Sequence, residues 1–565
     1  SKEAHQKQKE LKLERKAHKP NSETIRDAKK IWEQLRQNKL KAEEKQKLMM
    51  QMMGLIRGRV QDVIFKHDAS RMIQACLKQG NSEQRNVIAE ELKGKYLELS
   101  KSMYGKFLVM KVLEYCPKYR NTVLKELHTK ITRLIRHKEA SHVVEAFFTQ
   151  FANAAQRLTL ISEFYGPEFT LFNKPLSGQP QQTLDEVIRV QPEKKEGILK
   201  NLSETLSGTL DKGTLGHSIV HKVLLEYFTH ADEKGVMNMV ELLKEQVQEI
   251  VHTKEGAQVV MLSLSYSSPK DRKLMIKAMK PFLPKICVDE YAYLVLLRLF
   301  DVVDDTVLVG KAILGEITKN LEDLLKNKFG RRVILYLLVG RNTKYFFPET
   351  IKLLASGDEI RAKTSKKSPE TRSKELLATI SPHLITIVKE KAGVLMLDKL
   401  ASQVVKEIML HALGDKSEAL NAILALVAEN PEKDNHVVED RFANRVLKAL
   451  VHADNAKDAD EKAYAARHEI LTNIVGSPSS AIEPLNAGPL LLDVIRPYVP
   501  RYATNWGSFV IVALAEEPQT RSEVLEILRP HMKALEEAAA DKKQKENGGG
   551  NGGSKLLVEM LQGKK

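Results

Sequence analysis

A short sequence pattern returns along this chain at intervals close to 36 residues. Each copy has a small residue, two variable residues, two apolar residues, a further variable residue and an apolar residue one helical turn later. The clearest copies begin at Ala69, Gly105 and Ala140, which are 36 and 35 residues apart. A unit of this length cannot bury its apolar face alone and must stack on its neighbours. The pattern therefore predicts an all-α array of stacked helical repeats.

Further copies extend this array over most of the chain. They begin at Gly216, Gly256, Ala292 and Gly330, with weaker copies at Ala392, Ala443 and Gly507 and a degenerate one near Thr183. The step from Gly330 to Ala392 is 62 residues, which predicts an insertion. Its predicted site is the stretch from Ser356 to Ser373, where Lys, Ser and Thr are frequent and apolar residues are few.

Changes in composition divide the chain into five predicted parts. These are a basic N-terminal arm with a helical extension at residues 1–56, about eight repeats at 57–350, a polar insertion at 351–375, about three repeats at 376–540, and a flexible Gly-rich linker with a C-terminal tail at 541–565. The extension holds two amphipathic stretches, one from Asn21 to Leu35 and one from Ala42 to Ile56. We expect the Met-rich second stretch to be buried as a cap on the first repeat. Since the chain begins at Ser1 without a Met, we interpret it as a fragment of a longer protein.

The charge of the chain points to a polyanionic partner. Lys and Arg number 89 and Asp and Glu 73, which gives a net charge of +16 and an isoelectric point near 9.3. The three cysteines lie far apart, which excludes a disulfide scaffold and a thiolate zinc module. No secretory signal or membrane-spanning run of apolar residues is present, so we expect no membrane partner.

The variable positions of each copy share one helix face. Ser70 and Gln74 are one turn apart and Arg71 lies beside them, so stacking places one such triplet per layer along a common surface. The stretches Ser70–Gln74 and Ser141–Glu145 resemble the base-reading pentads of Pumilio-type (PUF) RNA-binding repeats.

The resemblance implies a role for each pentad residue. The first and fifth residues would bond the edge of one base, while the second would stack on it. It implies adenine for Ser70 and Gln74 with Arg71, and guanine for Ser141 and Glu145 with His142. It also implies the fold, a right-handed α-solenoid superhelix of about eleven PUF-type repeats that is L-shaped or strongly curved.

The remaining copies depart from that base-reading pattern. Lys106 and Phe107 do not match it, whereas two other copies are basic but lack the second edge reader: Arg331 with Arg332, and Asn444 with Arg445 and Lys448. We nevertheless predict that all seven side chains occupy base-facing positions and contact RNA. About eleven repeats behind a basic helical extension are similar to the nucleolar Puf-A branch of the family. That resemblance implies RNA or DNA binding with little sequence preference and a role in large ribosomal subunit assembly.

One segment beside the two pentads is strongly basic. It carries nine Lys or Arg residues against two Glu between residues 101 and 136: Lys101, Lys106, Lys111, Lys118, Arg120, Lys125, Lys130, Arg133 and Arg136. We predict that these side chains contact the nucleic-acid backbone, since phosphate contacts dominate affinity when base readers are weak.

No catalytic motif is present, and the sequence predicts neither an enzyme nor a cofactor. His217 and His221 are four residues apart but lack a third metal ligand, so we expect exposed repeat-surface histidines and no metal site. We predict a nucleolar or nuclear protein that binds structured ribosomal RNA precursor and acts as a monomer within a pre-ribosomal particle, beside pre-ribosomal proteins, with DNA as a further ligand in vitro.

Two alternatives remain open at the level of sequence. One is a sequence-selective mRNA-binding translational repressor that uses the two pentads. The other is a HEAT- or armadillo-like protein-interaction scaffold, because such repeats stack in the same way. The pentads and the net charge favour nucleic acid over the scaffold.

Overall fold

The computed structural model describes residues 5, 6, 8, 22–37, 40–65, 67–172, 182–210, 212–432, 436–453, 485–540 and 551–564, and these residues are helical without any strand. The chain divides into two compact units, Ser1–Leu243 and Lys244–Lys565. The predicted polar insertion at 351–375 lies inside the second unit.

The described helices of the first unit are short. They are α1 Ser22–Leu35, α2 Ala42–Ile56, α3 Val60–Val63, α4 His67–Gln79, α5 Ser82–Glu91, α6 Tyr96–Lys101, α7 Gly105–Tyr115, α8 Arg120–Leu127, α9 Ile131–Leu134, α10 Ala140–Ala146, α11 Ala154–Ser162, α12 Pro167–Phe172, α13 Leu184–Val190, α14 Lys195–Leu210, α15 Ser218–His230 and α16 Glu233–Leu243. Two 3-10 turns, Pro117–Tyr119 and Pro192–Lys194, and a π-turn, Phe147–Phe151, connect some of them.

The second unit is also built mainly from short helices, apart from one of 29 residues. Its described helices are α17 Lys254–Tyr266, α18 Pro269–Met279, α19 Leu283–Val288, α20 Ala292–Val302, α21 Thr306–Val309, α22 Gly315–Ile317, α23 Leu321–Lys326, α24 Gly330–Val339, α25 Pro348–Ala355, α26 Asp358–Thr364, α27 Pro369–Leu397, α28 Ala401–His411, α29 Ser417–Val427, α30 Ala443–Val451, α31 Ala487–Ile495, α32 Val499–Ala503, α33 Ser508–Glu516, α34 Arg521–Leu528, α35 Met532–Ala540 and α36 Asn551–Leu561. Short 3-10 turns are Val247–Glu249, Lys280–Phe282, Thr318–Asn320, Arg496–Tyr498 and Arg529–His531, and Gly310–Leu314 is a π-turn.

A capping residue precedes most of the helices that carry the repeated pattern. Its side chain accepts a hydrogen bond from a backbone N–H two or three residues later, at the start of the helix. The capping residues are Ser102, His137, Thr253, Asp289, Asn327, Asp398, Asp440 and Asn505. This device satisfies N–H groups that no helical carbonyl can reach.

The small residue at the start of each repeat helix allows close packing, as the pattern predicts. A Cβ added to Gly105 would lie 2.7 Å from the carbonyl oxygen of Leu99. The paired apolar residues that follow, such as Val143 with Val144, are buried. These contacts form the core of each layer.

The repeat helices pack on one another in chain order within each unit. In the first unit α4 contacts α7, α7 contacts α10, and the π-turn that extends α10 contacts α15. In the second unit the series runs through α17, α20, α24, α28, α30 and α33, and the C-terminal helix α36, which carries no copy of the pattern, packs on α33. The fold is therefore an α-solenoid.

The degenerate copy near Thr183 corresponds to the shortened helix α13. Its end at Gln191 has nearly the same backbone angles as Cys116 after α7, and each is followed by a Pro-containing 3-10 turn. With α13 counted, eleven repeat helices lie within the described residues, in agreement with the predicted number.

The copy placed at Ala392 has the wrong register. Ala392 follows a kink at Lys391 in α27, whereas the helix that packs between α24 and α30 begins at Ala401 behind the capping residue Asp398. Apolar residues recur on both helices, so periodicity alone does not distinguish them.

The predicted polar insertion between Ser356 and Ser373 is packed and contains α26 and the start of α27. Arg372 is 1% exposed and donates to Asp304 at 2.7 Å, while the Arg341 guanidinium bonds Asp358 at 2.6 Å and Asp301 at 2.7 Å. The Arg372 and Lys366 donors outweigh burial and hold the pKa of Asp304 below its usual range. Charged groups paired with one another close this interface where apolar residues are few.

The structure also assigns both ends of the array. Met49, Met52 and Met53 on α2 are buried, and α2 packs on α1 and α4, which confirms the predicted N-terminal cap. The Gly-rich tail is helical from Asn551 and packs on α33 and α35, so the predicted flexible linker is wrong for residues 551–554.

Other predicted segments fall partly outside the described residues. Most of the basic arm at 1–20, the second polar excursion from Ala453 to Ala466 and residues 541–550 are among them. None of the helices in the described part of the chain has the length and apolarity to cross a membrane.

Candidate nucleic-acid interface

The repeat helices of the first unit present a row of exposed side chains at one equivalent position. This position is occupied by Arg71 on α4, Phe107 on α7 and His142 on α10, and we call these three residues the exposed row. All three side chains are exposed, which fits the stacking role that the PUF resemblance implies. The Lys106 ammonium lies 5.1 Å from the centre of the Phe107 ring.

The first pentad does not present both of its edge readers. Ser70 is fully buried, and its hydroxyl donates to the carbonyl oxygen of Tyr104 at 3.2 Å. The half-buried Gln74 donates from Nε2 to the Ser70 hydroxyl at 3.1 Å. The expectation that Ser70 faces a base is therefore corrected, because the next repeat already uses its hydroxyl.

The second pentad is tied to the protein in a similar way. Ser141 is 2% exposed and donates to the carbonyl oxygen of Lys138 at 3.3 Å, in contrast to its predicted base-facing position. The Glu145 carboxylate accepts hydrogen bonds from the backbone N–H of Ser218 at 2.9 Å and of Ile219 at 3.4 Å. A carboxylate at a helix N-terminus is stabilised by the exposed N–H groups and by the helix dipole, so Glu145 acts as a cap for α15.

The two neighbouring histidines are not a matched surface pair. His217 meets His142 edge to face, with ring centres 5.9 Å apart, and burial lowers the pKa of His217. His221 is fully buried and its Nε2 lies 2.7 Å from the carbonyl oxygen of Leu215, contrary to the expected exposed position. In the described part of the chain, no cluster of His, Cys, Asp or Glu side chains is suited to a metal ion.

The basic segment is spread over several structural environments. Exposed side chains are Lys101, Lys118, Lys125 and Arg133, and Lys130 is partly exposed. Lys118 and Lys125 lie on the 3-10 turn and helix that follow α7, outside the exposed row.

The other cations of this segment are engaged within the protein. Lys106 pairs with Glu139 at 2.8 Å and Lys111 with Glu114 at 2.7 Å, and these hydrogen bonds lower the pKa of both carboxyl groups. Arg120 donates from Nε to the carbonyl oxygen of Leu113 at 2.9 Å, and Arg136 donates from Nη2 to that of Thr205 at 3.0 Å. These four side chains have structural partners in the protein.

The predicted C-terminal positions are only partly exposed. Arg331 is half-buried and donates to Gln403 at 2.6 Å, and burial beside Arg332 lowers the pKa of Arg331. Asn444 is 7% exposed and donates from Nδ2 to two backbone carbonyl oxygens, so it is not base-facing as predicted.

Arg445 and Lys448 remain accessible on α30. Arg445 is exposed, and Lys448 is partly exposed with its ammonium 6.0 Å from the ring centre of Phe509. Both cations can therefore still reach a phosphate.

A cluster of aromatic rings beside Arg332 was missed by the sequence reasoning. Tyr293 and Phe329 stack with ring centres 5.6 Å apart, and Phe347 is 63% exposed. Tyr293 does not match a base-edge reader, and Phe347 lies outside the repeat pattern. The available signal was the aromatic residue directly before Gly330 at the start of α24.

Comparisons with known proteins identify the family to which these repeats belong. Residues 69–93 match the Pumilio-family RNA binding repeat, and residues 326–462 match the CPL (NUC119) domain. The chain is 38% identical to Pumilio homology domain family member 6 of Schizosaccharomyces pombe over 95% of this chain and 81% of that protein. The chain belongs to the Pumilio-repeat (PUF) family.

The similarity to Puf-A extends over nearly the whole of this chain. The crystal structure of human Puf-A superposes with a TM-score of 0.84 at 32% identity and covers 96% of this chain and all of that one. Human Puf-A in complex with DNA gives a TM-score of 0.82 over the same shares. Human Pumilio homolog 3 is 37% identical over 79% of this chain and 69% of its own length. The PUF family is a family of RNA-binding proteins, and the likeness to Puf-A agrees with the branch predicted from the repeats.

Proposed function

We propose that this protein binds structured RNA with little sequence selectivity, mainly through contacts to the sugar–phosphate backbone of the RNA. One observation carries the proposal: the edge-reading groups of both intact pentads are hydrogen-bonded to the protein itself. The Ser70 hydroxyl is bonded to Tyr104 and the Glu145 carboxylate caps α15. Reading a base would break these bonds, so the gain from each base contact would be offset by the loss of an existing one.

The accessible chemistry favours phosphates and stacking. Arg71, His142 and Arg445 are exposed, and each offers a flat surface together with hydrogen-bond donors. RNA helices are recognised mainly by shape and by contacts to phosphates and 2′-hydroxyls. Duplex DNA lacks the 2′-hydroxyls but offers the same phosphate contacts, in keeping with the DNA complex of human Puf-A.

The biological setting belongs to this proposal. The protein holds precursor ribosomal RNA during assembly of the large ribosomal subunit, in the nucleolus and beside pre-ribosomal proteins. The resemblance to the nucleolar Puf-A branch and the net charge of +16 support this role. RNA crosslinking in cells tests it: recovered fragments should map to large-subunit precursor RNA, and recovery of mRNA 3′ regions alone would contradict it.

The binding mode is tested with three probes and the full chain. The probes are a single-stranded RNA, a duplex RNA of unrelated sequence and a duplex DNA, and fluorescence anisotropy gives the affinity for each. We expect affinities within about tenfold of one another, since phosphate contacts carry little sequence information. A strong preference for one single-stranded sequence would support the mRNA repressor, whereas no binding at low salt would support the protein scaffold.

A pair of variants separates these outcomes at the first pentad. Gln74→Ala removes a side chain that a base reader needs, while Arg71 is retained. We expect unchanged affinity for all three probes. A selective loss for one single-stranded sequence would show that Gln74 reads a base. Arg71→Ala is the companion variant, and it should weaken all three probes.

A further inference from the structure

The second unit contains a groove that combines aromatic rings with cations. It lies between α17, α20, α24 and α25, has a volume of about 600 Å³, and is lined by Lys254, Gln258, Tyr293, Phe329, Arg332 and Phe347 among others. We call it the aromatic groove.

Arg332 lies at the centre of the rings of the aromatic groove. Its guanidinium carbon is 5.8 Å from the ring centre of Tyr293, 5.9 Å from that of Phe329 and 5.5 Å from that of Phe347. One of its nitrogens donates to the Tyr293 hydroxyl at 3.2 Å. These contacts hold a planar cation and its aromatic neighbours in a fixed arrangement before any ligand arrives.

Phe347 is held in an exposed position by the start of a helix. It is 63% exposed, and Pro348 directly after it opens α25. Proline at the first helical position fixes the backbone there, so the exposed ring is presented at little entropic cost on binding. Exposed large aromatic side chains are costly in water and usually mark a binding surface when they adjoin other apolar groups.

The rim of the aromatic groove carries a surplus of positive charge. Lys254, Lys328 and Lys352 are exposed there, against the carboxylates of Glu290 and Glu349. Together with Arg332 the groove has two more positive than negative groups. An anionic ligand with a flat apolar part therefore fits both its charge and its rings.

We infer that the aromatic groove binds an unpaired nucleobase of the RNA, with the base against Phe347 and Arg332 and the adjoining phosphates toward the rim lysines. Aromatic stacking is tolerant of base identity because every base has a π-face. The inference rests on the proposed RNA binding and adds to it a preference for RNA that contains unpaired nucleotides. Such a site explains how structured RNA can be held without base-edge readers.

The test uses the full chain and two RNA hairpins that differ only in one bulged 5-iodouridine within the stem. We expect the wild-type protein to bind the bulged hairpin more tightly and, on irradiation, to crosslink through a peptide that contains Phe329 or Phe347. Phe347→Ala should lose about tenfold in affinity for the bulged hairpin, the scale of one lost stacking contact, and keep its affinity for the fully paired one.

Phe282→Ala is the matched control. Phe282 is 43% exposed, lies in the same unit and follows Lys280 by two residues, but it is outside the aromatic groove. It should leave both affinities unchanged, and an unchanged thermal midpoint for both variants shows that the fold is retained.

Two results would overturn the inference, and they differ in what they mean for the proposed function. Equal effects of Phe347→Ala on both hairpins, or none, together with crosslinks elsewhere, would leave RNA binding intact and assign the aromatic groove to a protein partner. Failure of the wild-type chain to bind either hairpin would overturn the proposed function as well.

Discussion

At the scale of single residues, the same side chains can serve the fold or the ligand. The sequence places Ser70 and Ser141 correctly at the first variable position of a repeat, yet both are buried. A serine hydroxyl is small enough to turn toward a nearby carbonyl, which is that of Tyr104 in the next repeat for Ser70 and that of Lys138 in the same repeat for Ser141. The burial of both side chains is a property of the packed array, so the pentads predicted the helix positions and not the exposure of these hydroxyls.

The exposed position of Arg71 predicts that its side chain contributes to the binding of RNA and DNA probes alike. Arg71→Ala should weaken binding of RNA and DNA probes alike by about two- to tenfold and reduce the magnitude of the salt slope by about 1, because one phosphate contact is lost. Affinity measured across a salt series checks this. Arg57→Ala, which removes an exposed arginine at the end of α2, should leave the slope unchanged; a loss confined to one sequence would contradict the prediction.

The hydrogen bonds of the Glu407 carboxylate predict that the folded protein loses stability at acid pH. Burial alone would raise the pKa of Glu407, but hydrogen bonds from His411 and Lys406 hold it at about 2, against an ordinary value of 4.5. The unfolded chain thus takes up its proton first as pH falls. The ionised carboxylate contributes about 3 kcal/mol above pH 4.5, and this is lost as the pH falls to about 2.

Urea denaturation of the wild type and Glu407→Gln at several pH values measures this contribution. The difference in free energy of unfolding between the two should shrink by about 3 kcal/mol between pH 5 and pH 2. Glu418→Gln, which removes an exposed carboxylate, provides the control. A difference that is constant with pH would show that folding does not lower the pKa of Glu407.

At the scale of elements, helix boundaries follow from the sequence wherever capping and apolar periodicity agree. Helices α1 and α2 begin and end close to their predicted residues. The copy at Ala392 has the wrong register because α27 is apolar at the same spacing as a repeat helix. The packing of the polar insertion was not predictable, because its cohesion comes from paired charges. Hydrophobic patterns cannot detect an interface made by Arg372 and Asp304.

The close packing of the C-terminal helix α36 on α33 predicts that one methyl group added at Gly553 disturbs this contact. A Cβ at Gly553 would lie 2.4 Å from the Ser508 hydroxyl and 2.9 Å from its backbone carbonyl carbon, so Gly553→Ala should displace α36 from α33. Hydrogen exchange should then increase between residues 551 and 561, where Leu557 is now fully buried. Lys555→Ala on the exposed side of α36 should leave exchange unchanged, and equal exchange in both variants would contradict the docking.

At the scale of the whole molecule, the sequence was sufficient for the class of fold and the branch of the family. The 36-residue spacing predicted the array, and the structure contains eleven repeat helices within its described residues. The aromatic groove was not predictable in this way, because Phe347 comes from outside the repeat and meets Arg332 only after folding.

The net charge of +16 predicts a steep dependence of affinity on salt. With about six phosphates neutralised, the affinity for duplex RNA should fall about 1,000-fold between 50 and 200 mM salt, with a slope near −5 in a double-logarithmic plot. Anisotropy titrations at four or more salt concentrations measure it. A slope near zero would mean that contacts other than phosphates dominate.

The capping residues that precede the repeat helices have a consequence for how such proteins diversify. Asp289, Asn327, Asp398 and Asp440 set the start of each helix through backbone N–H groups, without using any outward-facing position. In these repeats the residue that fixes the start of the helix is therefore distinct from the residue at the outward-facing position. The residues at the outward-facing positions can therefore change during evolution, from base readers to cations or aromatic rings, while every helix keeps its place in the stack.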